Sequence, residues 1–114
     1  MTPGDVVLIR LPQVGAGPPK LRPALVLSPL PGPFQNVLLC GISTQLRDVE
    51  PDWDELVGSG DTDFSASGLR RNSAIRLSYL YAAESREISG AIGRIDPQRL
   101  RRLLTRLADL LSPS

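Results

Sequence analysis

The 114-residue sequence has no histidine and a single cysteine, Cys40. Those two shortages remove several chemistries at once. Without histidine there is no Ser-His-Asp or Cys-His mechanism, and a structural or catalytic zinc site lacks its usual ligands. Cys40 has no partner for an internal disulfide. It sits in an apolar run, where a thiol behaves as a small core residue, and a reducing cytoplasmic setting fits. Aromatic side chains are scarce, with one Trp, two Tyr and two Phe. No apolar stretch approaches the roughly 20 residues that span a bilayer. The start, MTPGDVV, lacks the basic and then apolar pattern of a secretion signal. A formal net charge of +1 makes no general case for a polyanionic partner. No cofactor or metal is expected, so any hydrolytic chemistry falls to Arg, carboxylates, hydroxyls or Tyr.

What the sequence does have is a series of short apolar runs broken by 11 prolines and 10 glycines. Residues 6–11, VVLIRL, are β-branched and aliphatic and read as a strand. Residues 12–20 carry three prolines and two glycines and read as a loop, either a flap or a plain hairpin connection. The stretch 21–28, LRPALVLS, follows. Its proline lacks a ladder donor and belongs at a strand start or edge, and the run behind it is buried, so Arg22 stands at the mouth of a strand. Residues 36–44, NVLLCGIST, form a third strand that ends on Ser43 and Thr44, followed by Gln45.

Residues 46–63 are acidic and turn-rich, with room for a brief strand near 55–57. From Asp48 to Asp63 there are seven acidic residues and no Lys or Arg. Carboxylates repel phosphate, so this segment is expected to lie away from the face that carries the arginines. Residues 64–72 read as a loop in which Gly68 supplies a positive φ. Residues 73–81, SAIRLSYLY, alternate and put Arg76 and Ser78 on one face. Residues 88–95 give a last strand. Asp96-Pro97 is a helix start, and Leu100, Leu103, Leu104, Leu107, Leu110 and Leu111 make one apolar stripe that Arg99, Arg101, Arg102 and Arg106 avoid. The expectation is a single α+β domain over residues 1–114, with a small, strongly bent antiparallel sheet and a C-terminal helix.

The order GDVV (4–7), RPALVLS (22–28), GIST (41–44), GLRRNSAIRL (68–77), IGRI (92–95) and an amphipathic C-terminal helix resembles the MazF/PemK toxins of bacterial toxin–antitoxin pairs. The resemblance implies an SH3-like barrel with a helix, a homodimer, a cognate antitoxin, and DNA operator binding only through that antitoxin. It also implies a cytoplasmic, metal-independent endoribonuclease that cuts single-stranded RNA. Carried over by residue, Arg22 matches the catalytic arginine of the second strand, Ser43 or Thr44 the hydroxyl closing the third, and Arg76 a basic residue of the PemK branch. That branch has a catalytic aspartate where this sequence has Ser78. Candidate catalytic residues are therefore Arg22, Ser43, Thr44, Arg76 and Ser78, with Lys20, Gln45, Arg76 and Tyr81 as RNA contacts. Guanidinium groups suit phosphate, but the proton acceptor is not evident; Asp5 or an acidic residue from Asp61 to Asp63 could serve. Tyr81 and Trp53 read as exposed aromatics, and Phe34, Phe64 and Tyr79 as core. A second reading follows from Ser78: a catalytically weak or inactive member of the same fold that binds a protein partner, either its antitoxin or a topoisomerase-type target.

Overall fold

The computed structural model describes residues 1–11 and 20–113, leaving most of the expected 12–20 loop outside the described residues. Six strands and two helices follow in the order β1 (Asp5–Leu11), β2 (Lys20–Pro29), β3 (Asn36–Ser43), β4 (Glu55–Val57), α1 (Phe64–Ser67), β5 (Ser73–Glu84), β6 (Ile88–Arg94) and α2 (Pro97–Leu111). They form one antiparallel sheet in the order β4-β5-β3-β2-β1-β6. Each strand assigned by apolar pattern is present. The helix starts where Asp96 accepts a hydrogen bond from the Gln98 amide at 2.7 Å, with Pro97 in the first turn.

Period-two alternation gives the sheet an apolar cluster on each face. Val6, Leu25, Leu27, Cys40, Ile42, Ile75 and Leu77 pack with Leu103 and Leu107 of α2. Val7, Ile9, Ala24, Val26, Val37 and Leu39 form the other cluster. The leucine stripe of α2 is thus used in part: Leu103 and Leu107 are buried, Leu100 and Leu104 pack against the cluster's edge, and Leu110 and Leu111 are exposed.

Arg99 does not avoid the buried face. It is 8% exposed and held by Asp63 through paired contacts of 2.8 and 3.0 Å, by Glu55 at 2.8 Å and by the Leu56 carbonyl at 3.0 Å. The acidic segment supplies those partners, so it is a structural clasp on α2 as well as a solvated loop. Val57, fully buried, also gives it a place in the core.

The expected SH3-like barrel is not shown by the strand pairing. β4 and β6 are the two ends of the sheet, and strand pairing among the described residues does not close it. What meets β6 from that side is α1, packed backbone to backbone. A Cβ on Gly93 would lie 2.2 Å from the Ala66 carbonyl oxygen, and one on Gly68, whose φ is +77°, would lie 2.2 Å from that of Ile92. Glycine at both positions lets α1 approach the backbone of β6 this closely.

Candidate functional site

Arg76 and Ser78 lie on β5 where its pairing with β3 is interrupted. Cys40 pairs with Leu80 and Gly41 with Arg76, so residues 77–79 bulge out of the ladder. A bulge re-aims side chains. Leu77 stays in the core, while Ser78 and Tyr79 turn toward solvent. The β4 register, with Glu55 opposite Ile75, continues one residue back to bring Asp54 beside Arg76.

Asp54 is the centre of the arrangement. Its carboxylate, 0% exposed, accepts from the Ser78 amide at 3.1 Å, from Ser78 Oγ at 3.1 and 3.0 Å, from the Glu50 amide at 3.0 Å and from Arg76 Nε at 3.5 Å. A carboxylate has about four acceptor sites, and these four donors fill them. A buried charge is tolerated when it is paired and hydrogen-bonded in this way. Arg76 Nη2 also donates to Ser78 Oγ at 3.3 Å. The Arg76 side chain remains 27% exposed, which leaves the outer part of its fork open to an anion.

Sequence reasoning missed Asp54 and placed its segment elsewhere. The expectation that the acidic stretch lies away from Arg76 fails at this residue. Asp5, Asp61 and Asp63 are not near Arg76: Asp5 pairs with Arg94, and Asp61 and Asp63 pair with Arg99. A carboxylate 24 positions from Ser78 leaves no local signal; only the β4–β5 register brings the two together.

Arg22 is half-buried on β2, and no carboxylate among the described residues lies within ion-pair distance of it. Ala24, Gly41 and Arg76 form a row across β2, β3 and β5. Arg22 and Lys20 share the parity of Ala24, and Ser43 that of Gly41, so all of them project on the face of Arg76. β3 separates the two arginine-bearing strands, a span of roughly 10 Å at two strand spacings. Ser43 Oγ accepts from the Gln45 amide at 3.0 Å, a turn-forming bond, while Thr44 and Gln45 are exposed.

The aromatics exchange roles. Tyr81, expected as an RNA contact, packs against the second apolar cluster, and its hydroxyl donates to Glu87 at 3.1 Å. Burial, then the Glu87 bond and charge, push that phenol up. Trp53 and Phe64 are half-buried against the first cluster, whereas Phe34 is exposed. Tyr79 is exposed and lies over Gly41, where a Cβ would sit 3.4 Å from its ring. Simple alternation cannot foresee this, because the bulge changes the parity between Arg76 and Leu80.

Cys40 is buried, and burial first and the Asp54 charge second push its thiol up, so it stays protonated and inert. No described helix is long and apolar enough to cross a membrane. Among the described residues, no group of three His, Cys, Asp or Glu side chains is placed to hold a metal ion.

A search of curated proteins finds no match. A family model described as PemK-like, MazF-like toxin of type II toxin–antitoxin systems matches residues 2–111. That span takes in all six strands, both helices and the Asp54–Arg76–Ser78 cluster, and the chain belongs to this toxin family.

Proposed function

We propose that this protein is the toxin of a type II pair and acts as a metal-independent endoribonuclease on single-stranded RNA. The observation that carries the reading is the shared face of Arg22 and Arg76. Two guanidinium groups stand on strands flanking β3, one held side-on by a buried carboxylate with its outer edge open. Such a pair suits a phosphodiester that gains charge as a neighbouring 2′-hydroxyl attacks it. Lys20 extends the cationic face, and the exposed Tyr79 ring offers a stacking surface for a base. Ser43, engaged with the Gln45 amide, and Thr44 line the end of β3 as lesser contacts.

The chain acts as a cytoplasmic homodimer that a cognate antitoxin covers, and DNA is met only through that antitoxin. Exposed Leu110 and Leu111 at the end of α2 support the dimer, since they continue a stripe whose earlier members are buried. The non-catalytic alternative drew its motive from Ser78, which lacks a carboxylate. Asp54 in contact with Ser78 brings a carboxylate to that place and favours the catalytic reading. Purified protein, given a mixed-sequence RNA with chelator present, cuts it and leaves 2′,3′-cyclic phosphate ends. Growth arrest with intact RNA, persisting in R22A, supports the binding-module reading instead.

A further inference from the structure

We infer that Asp54 is the proton acceptor of the cleavage reaction and works through Ser78 Oγ, an inference that rests on the ribonuclease reading above. Asp54 itself is out of reach: its side chain is 0% exposed. Ser78, in contrast, is exposed and bonded to both carboxylate oxygens, at 3.1 and 3.0 Å. A serine hydroxyl has one proton and two lone pairs. The proton points to Asp54, and one lone pair receives Arg76 Nη2 at 3.3 Å. One lone pair is left, on a residue that is exposed to solvent. A hydroxyl whose proton is drawn by a carboxylate is a better acceptor than a free serine, because chains of hydrogen bonds polarise one another.

In the step, the RNA 2′-hydroxyl gives its proton to Ser78 Oγ as the Ser78 proton passes to Asp54. The 2′-oxygen forms a bond to phosphorus, and the bond from phosphorus to the 5′-oxygen breaks. The departing 5′-oxygen takes a proton from solvent water, and Asp54 later returns its proton to solvent. Proton and charge balance, and the products are a 2′,3′-cyclic phosphate and a 5′-hydroxyl end. Asp54 is a positioning residue in the ground state: its bonds to Oγ fix the Ser78 rotamer, and it holds Arg76 by Nε while Arg76 Nη2 reaches Ser78 Oγ, so the outer part of the fork meets phosphate.

The test is a rescue. D54N and S78A each lower kcat by about 10²–10⁴-fold, the range of positioned proton transfer, with KM little changed. The D54N/S78A pair loses no more than either alone, because the two act as one unit. Adding S78D to D54N places a carboxylate at the outer position and restores cleavage at least tenfold over D54N. A merely structural Asp54 predicts no rescue, and thermal melts of every variant identify loss of fold. S78A that melts like the wild type and cuts at the wild-type rate overturns the relay while leaving the ribonuclease reading intact. A wild-type protein that cuts no RNA overturns both.

Discussion

Replacing Arg99 with methionine takes away the cation at the centre of the acidic clasp and keeps most of the side-chain volume. Asp63, 6% exposed, then loses two contacts of 2.8 and 3.0 Å and keeps the Asp96 amide at 3.0 Å. Removing one partner of a buried ion pair costs about 3–5 kcal/mol, because the other charge is left uncompensated. For 114 residues at about 2.1 cal/mol/K each, the unfolding entropy is about 0.24 kcal/mol/K, so Tm falls by about 12–20 °C. The pH dependence has a definite sign. The Arg99 bond, then the Asp96 amide and the Arg99 charge, hold the Asp63 carboxyl below its ordinary 3.8 against the cost of burial. Stability from a lowered carboxyl is present above the unfolded value and lost as pH falls through the folded one. The deficit of R99M is therefore full at neutral pH and shrinks below about pH 4. The assay is thermal unfolding by circular dichroism from pH 3 to 7. The double variant D63N/R99M regains part of the loss, since the buried charge goes with its partner and the substituted amide side chain still accepts from the Asp96 N–H. A fall of less than about 4 °C for R99M at pH 7, where about 1 kcal/mol is the corresponding cost, refutes the clasp.

G93A drives a methyl into the Ala66 carbonyl of α1, where 2.2 Å is available, and destabilises by about 3 kcal/mol, the upper part of the overpacking range; an unchanged melt contradicts the packing of α1 on β6. Y79A weakens binding of a non-cleavable single-stranded oligonucleotide by about 5- to 150-fold, equivalent to 1–3 kcal/mol for one stacked base. Y81A instead lowers Tm, because that ring packs in the second cluster; the reverse pattern reassigns the aromatic contact. Charging the end of the helix with L110E/L111E gives a monomer by sedimentation at micromolar concentration, and a persistent dimer excludes that face as the contact.

Most of the fold was legible because the apolar runs are short, clean and separated by Pro and Gly, and because Asp96-Pro97 begins the helix unambiguously. Strand existence depends on local composition, which a sequence displays. What was not legible depends on register between distant segments. Alternation assigned Tyr79 to the core because it cannot foresee the bulge at residues 77–79. The acidic segment read as a remote loop because each carboxylate, taken alone, suits solvent. Its partners Arg76 and Arg99 are brought to it by β4–β5 pairing and by the docking of α2. The candidate site was legible in part: Arg22, Arg76 and Ser78 were singled out from the sequence and its family resemblance, whereas Asp54 reaches them only through the β4–β5 register.

The central claim is that the face carrying Arg22 and Arg76 cuts RNA. The direct measurement is the rate and end chemistry of cleavage of a single-stranded RNA in chelator by wild type, R22A and R76A, each checked for native melting. The account predicts 2′,3′-cyclic phosphate and 5′-hydroxyl ends, with each arginine variant slower by about 10²–10³-fold, the cost of removing one preorganised charge donor. Cleavage by both variants at the wild-type rate, or no cleavage by the wild type, contradicts it.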